Sequence, residues 1–182
     1  GHAIARAGGA PYADVVRDRV LRPLGMTRST FRPLVAMTWP LALDHRVGPD
    51  GPAVLRPFPD DVTTWASGSL FASAEELARL AVALLDSGRV DGRAALPADV
   101  VAAMHRAATP VPGGDCGYSY GLSVCRRGRV RALSHYGFRA GTGSVVTLLP
   151  DERAAVILLA NRNGGILGAS ERAILAQLAP AT

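Results

Sequence analysis

Hydrophobic positions change their period along this chain, and the change separates a helical part from a strand part. From Ile4 to Leu21 the apolar residues Ile4, Val15, Val16, Val20 and Leu21, together with Tyr12, are interrupted at Gly8-Gly9-Ala10-Pro11. Glycine suits a helix end and proline a first turn, so the segment reads as one helix end, a turn, and a second helix starting near Pro11. Pro23-Leu24-Gly25-Met26 closes that second helix. Between Phe31 and Thr64 proline is frequent, and Gly48-Pro49-Asp50-Gly51 separates short strand-like runs, which predicts a loop carrying a hairpin. Ser73-Ala74-Glu75-Glu76 then precedes Leu77, Leu80, Ala81, Leu84 and Leu85 at helical spacing. A capping box of Ser73 and Glu76 and a stop at Gly88 are expected for this helix. A further helix is expected from Pro97 to about Ala108, with Val100, Val101 and Met104 facing inward.

The last third alternates with period two. Tyr120 to Cys125 and Val130 to His135 read as a hairpin turning near Arg127-Gly128, and Ser144 to Leu149 with Ala154 to Ala160 as another, turning at Pro150-Asp151-Glu152. A terminal helix capped by Ser170 carries Ile174, Leu175 and Leu178. Helices, then antiparallel strands, then a closing helix predict an α+β domain with an antiparallel sheet packed against helices, over 1–182 without repeat or linker.

Composition agrees with a folded unit: 48% of the 182 residues are apolar and 19% charged. The net charge of +5 raises nucleic acid as a partner. Every basic residue other than histidine is arginine, however, and most stand singly among Ala, Val and Leu. The densest group is Arg126, Arg127, Arg129 and Arg131 around Gly128, where a strand of period two would set the last three on one face. We read it as a solvated hairpin tip, with a rim attracting anionic substrate as the sharper alternative; nucleic acid is not the expected partner. Cys116 and Cys125 lack metal or redox spacing, so a disulfide and two free thiols both stay open, and neither metal nor cofactor is expected. No run is long and apolar enough for a membrane span.

Candidate chemistry lies at Ser134-His135-Tyr136-Gly137-Phe138. A strand bearing His and then Gly can bring its backbone close to a ligand, and the N–H of Phe138 can face an acyl oxygen. The bland alternatives are a hydrogen-bonded strand-end histidine, a bulge at Gly137 and a packing tyrosine at 136. His45 and His105 show no partner signal and read as surface or helix positions.

Four segments in order resemble the superfamily of serine β-lactamases and DD-peptidases, in its class C and esterase branch. They are Arg22-Pro23-Leu24-Gly25-Met26-Thr27; Ala66-Ser67-Gly68-Ser69-Leu70-Phe71-Ala72-Ser73, in which Ser69 stands where glycine is usual; Tyr120-Gly121-Leu122; and Ser134 to Gly141, similar to a His-x-Gly form of the family's Lys-Thr-Gly motif. The resemblance implies a serine hydrolase acting on a small-molecule or peptide substrate through an acyl-serine intermediate. His135 would then anchor or polarise catalytic hydroxyls and Tyr136 and Gly137 would line the substrate trough, with Phe138 as oxyanion donor; the Pro-Leu-Gly-Met and Ala-Ser-Gly-Ser elements are read mainly as structure, with Ser67 and Ser69 at most near-site loop residues.

The family's nucleophile and base form Ser-x-x-Lys, with a Tyr-x-Asn element to relay protons. This chain has no lysine, so it contains neither that nucleophile nor that general base. Both missing elements belong upstream of Arg22, and the chain starts at Gly1 instead of Met. The expectation is a carboxy-terminal portion, inactive alone, with its sheet incomplete at the N-terminus and apolar surface uncovered. The alternative is a non-catalytic binding module of the same fold. Compartment stays open: secreted or cell-envelope if a preceding signal exists, otherwise cytoplasmic.

Overall fold

The computed structural model describes residues 1–55, 61–106, 109–111, 115–127, 129–162 and 167–178. Helix α1 (His2–Gly8) stops at Gly9, whose φ of 68° is left-handed. Helix α2 (Tyr12–Val16) starts after Pro11 and runs through a π-helical turn (Arg17–Leu21) into α3 (Arg22–Leu24). Pro23 offers no N–H to the preceding turn, and the ladder widens there. Gly25 at φ 73° then ends the rod, and Met26 donates back to the Leu21 carbonyl at 2.8 Å. Leu21, Leu24 and Met26 pack with Ala83 and Val90 into one buried cluster.

The loop after Phe31 holds more structure than its prolines suggest. It contains a short helix α4 (Pro33–Ala36), the expected hairpin of β1 (His45–Gly48) and β2 (Gly51–Val54), and a 3-10 helix (Val62–Ser67) capped by Asp61.

Helix α5 (Ala74–Leu85) begins as expected, with Ser73 Oγ accepting from the Glu76 N–H at 3.1 Å. The capping box is only half formed. The buried Glu76 carboxylate turns away to accept from the Arg28 N–H at 2.9 Å and the Ser29 hydroxyl at 2.6 Å, tying the turn after α3 to α5. Gly88 ends this segment at φ 89°; a Cβ there would stand 2.2 Å from the Leu96 carbonyl oxygen. A small hairpin, β3 (Arg89–Val90) with β4 (Arg93–Ala94), follows. Helix α6 (Ala98–Met104) is shorter than expected, and 107–108 lie outside the described residues. Val101 is buried but Val100 faces outward, against expectation, because a seven-residue helix turns only one side to its neighbours.

Strands β5 (Thr109–Pro110), β6 (Cys116–Tyr118), β7 (Ser123–Arg127), β8 (Val130–Arg139), β9 (Thr142–Leu149) and β10 (Ala154–Ala160) form a six-stranded antiparallel meander in the order β10-β9-β8-β7-β6-β5. Strand β8 runs past His135 to Arg139, because its far half pairs with β9 out to Arg139↔Thr142. The hairpin tip also divides the arginines: Arg126 pairs opposite Arg131 while Arg129 lies outside both strands, so 127, 129 and 131 do not form one strand face. One sheet face, with Leu133 and Leu148, packs on Ala81 and Leu84 of α5 and Val101 of α6. The other face carries Val145, Thr147 and Val156 against helix α7 (Leu167–Leu178). Ser170 sits inside α7 instead of capping it, and Ile174 and Leu178 are partly exposed.

Candidate active site

The phase of the strand ladder decides what the His-x-Gly segment presents. Arg126 donates its N–H to the Asp115 carbonyl at 3.1 Å and Ser119 to that of Leu122 at 2.8 Å. Cys116 and Cys125 therefore stand opposite each other as a non-hydrogen-bonded pair, and alternation bonds Cys125 and Ser123 to Ala132 and Ser134 of β8. Even-numbered residues of β8 thus turn their N–H toward β7. Pairing with β7 ends at Ser134, and the N–H of Phe138, an even position, is aimed along the stretch of edge that β7 has left.

Side chains alternate in the perpendicular sense. His135, Gly137 and Arg139 share the face of Leu133 that meets the helices, while Tyr136 and Phe138 share the α7 face. The exposed His135 has its Nδ1 2.6 Å from the Gly121 carbonyl oxygen. A carbonyl only accepts, so Nδ1 carries a proton toward it, and the tautomer this selects has its lone pair at Nε2, where a hydroxyl can donate. Gly121 is set for this by a tight turn: its φ is 83°, its N–H donates to Ser119, and the Ser119 hydroxyl is tied to the Ala103 carbonyl at 3.0 Å. The disulfide Cys116–Cys125, Cα atoms 4.1 Å apart, closes the base of that same hairpin and resolves the two thiols left open above.

Gly137 is no bulge. It pairs in register with Ser144, and a Cβ there would fall 2.1 Å from the Ser144 Oγ. Tyr136 is turned away from His135: its hydroxyl donates to Glu171 of α7 at 2.7 Å, where the Thr147 hydroxyl also donates. The phenyl ring of Phe138 is largely exposed on that side too, so its contribution beside His135 is its backbone.

Of the two loop serines, Ser67 bonds back to the Thr64 carbonyl at 3.1 Å within its own turn. Ser69 is brought to the site. It adopts a left-handed φ of 65°, accepts a hydrogen bond from Arg139, and lies 3.3 Å from the Thr64 hydroxyl. Asp61, capping that loop's 3-10 helix, is held below the usual carboxylate range by hydrogen bonds from the Thr63 hydroxyl and N–H, with help from the Arg139 charge. Arg139 and Gly121 lie inside the resemblance segments without an expected role of their own; the period-two step from His135 through Gly137 is the sequence signal for the first.

His45 is not an idle surface residue, since its N–H donates to the Gly141 and Asn161 carbonyls and docks β1 on the β8–β9 turn. His105 lies at the end of α6 with Nε2 buried and unpartnered among the described residues. Burial, and then the Arg131 charge, push its pKa down. No helix among the described residues is long and apolar enough to cross a membrane.

The family whose model matches is Beta-lactamase, over residues 1–181. Solved structures agree in fold. A penicillin-binding protein homologue from Pyrococcus abyssi, described as octameric, is 21% identical with a TM-score of 0.79, covering 95% of this chain and 39% of that one. A class C β-lactamase from Rhodobacter sphaeroides is 19% identical at 0.76, covering 98% and 57%. D-amino acid amidase from Ochrobactrum anthropi SV3, complexed with L-phenylalanine amide, is 26% identical at 0.70, covering 91% and 48%. The chain thus spans about half the length of the proteins it resembles. No curated protein matches it.

Proposed function

Because the chain belongs to the β-lactamase family, we propose that it supplies the oxyanion and histidine side of a serine acyl-transfer site that cleaves an amide or ester through an acyl-serine intermediate. The observation that carries this is the Nδ1–H of His135 held on the Gly121 carbonyl, which leaves Nε2 as an acceptor on the sheet face that meets the helices. In the reaction a serine hydroxyl attacks the acyl carbon, and the developing oxyanion accepts from the N–H of Phe138 on the open edge of β8. Nε2 of His135 accepts from a hydroxyl of the catalytic set and keeps it oriented for proton transfer. Gly137 lets substrate lie against the strand. Tyr136 acts through the scaffold, fixing β8 to α7.

These 182 residues contain no lysine, so on this reading a Ser-x-x-Lys nucleophile would have to be supplied from outside them. The same fact favours the second reading, a binding module without chemistry. The two are separated with the full-length protein: a fluorophosphonate that labels one serine, followed by turnover of short-chain esters, penicillins and D-amino acid amides, is expected. No label and no turnover, with ligand still bound, would leave the binding module. Carboxypeptidase, esterase and β-lactamase activity are ranked by the same panel.

A further inference from the structure

Arg139 is the third residue on the His135 face and the last of β8. None of the ion pairs formed among the described residues includes it. Its guanidinium donates instead to the Ser69 hydroxyl, and a Cβ at Gly68 would lie 4.0 Å from its Cδ, so the loop cradles the side chain. Ser69 adopts the left-handed conformation that favours glycine, a strained choice for a residue with a Cβ. Its hydroxyl is what glycine would lack, and that hydroxyl is spent on orienting Arg139. Among the described residues, the Ser69 hydroxyl and the more distant Asp61 charge are what this guanidinium meets, so it keeps N–H donors for a ligand.

Direction along the edge says which part of a substrate meets Arg139. A peptide-like substrate added antiparallel to the open edge of β8, with its acyl oxygen on the Phe138 N–H, runs its leaving group back toward His135 and its acyl part out toward 139. We propose that Arg139, oriented by Ser69, is a specificity residue that recognises an anionic group, a carboxylate, on the acyl portion of the substrate. This rests on the acyl-transfer reading above.

The test uses the full-length protein and two p-nitrophenyl esters with one leaving group: the monoester of adipic acid and the ester of its terminal amide, adipamic acid. The acid:amide ratio of kcat/KM is expected to exceed one, and to fall about 10- to 100-fold in Arg139→Gln, the worth of a charge-assisted hydrogen bond. Ser69→Gly should lower the ratio less, and Arg139→Lys should restore part of it. A wild-type ratio at or below one, or equal loss on both esters in Arg139→Gln, would overturn the proposal and leave Arg139 as a brace between strand and loop. If the protein neither labels with fluorophosphonate nor turns over ester, the hydrolase reading fails separately. Adipate titrated against the Arg139 Nε–H resonance then decides the residue's role: a saturable shift lost in Arg139→Gln supports recognition, and no shift refutes it.

Discussion

The two faces of strand β8 carry polar residues at neighbouring positions and treat them in opposite ways. On the α7 face, the half-exposed Tyr136 and the buried Thr147 both donate to the buried Glu171 carboxylate. On the helical face, among the described residues, the exposed His135 is bonded through one ring nitrogen and Arg139 to one hydroxyl. A buried polar group with an unmet bond costs more than one in water, so the closed face must be satisfied internally. The open face is under no such demand. Its groups keep bonding capacity in reserve, which is what a site requires. The lesson is that a buried acceptor across the interface, Glu171, and not residue type, separates the structural polar groups of this strand from the chemical ones.

The contrast can be broken from either side. The largest effect is expected on the open face: His135→Ala in the full-length protein should cut kcat/KM for ester hydrolysis by about 10²- to 10⁴-fold with little change in the melting temperature. An equal loss of stability would mean that His135 is structural. On the closed face, Glu171→Ala strands the buried Thr147 hydroxyl and releases the part-buried Tyr136 hydroxyl to water, and should lower stability by about 2 kcal/mol in urea unfolding, as expected for loss of a charged acceptor. A loss below about 1 kcal/mol would show that the network is not what holds α7 to the sheet.

The disulfide lies between these extremes, since it braces the hairpin that delivers the Gly121 carbonyl. Replacing Cys116 and Cys125 with alanine removes a loop closure worth about 2.7 kcal/mol. It should also let the His135 tautomers mix, which the ring nitrogen resonances would report. Unchanged resonances would detach the hairpin from the site. The pH dependence of His105 is smaller. Its folded pKa lies below the unfolded value near 6.5, so the unfolded chain binds the extra proton first. Stability is therefore complete above about pH 6.5 and declines as pH falls through the folded value, and His105→Phe should flatten that decline in unfolding midpoints taken between about pH 7 and 5. Smallest of all, Ser69→Gly trades backbone strain against one hydrogen bond and should move stability by less than about 1 kcal/mol.

The chain's periodicity made its architecture readable. The helix at Leu77 to Leu85, its serine cap, the turn at Gly48 to Gly51, the glycine stops at Gly9, Gly25 and Gly88, and the two sheet hairpins all follow from local patterns whose cause is local. The His-x-Gly segment was legible only in part: the expected strand ends at His135, whereas pairing with β9 carries β8 on to Arg139 beyond the end of β7. The contacts that no local pattern signalled share one feature. Glu76 leaves its expected cap for Arg28 and Ser29, Tyr136 turns to Glu171, and Ser69 takes a left-handed turn to reach Arg139. Each of those partners lies tens of residues away in sequence.

What the sequence determined by itself is therefore the elements, their order, and the residues that alternate on each strand, because backbone geometry imposes a period that side chains must obey. What only the tertiary structure decided is which face of β8 is closed by α7 and which is left to the site, where the Phe138 N–H points, and which carbonyl fixes the proton on His135. Those depend on the phase of a ladder and on groups brought together by packing, and no local pattern carries that information.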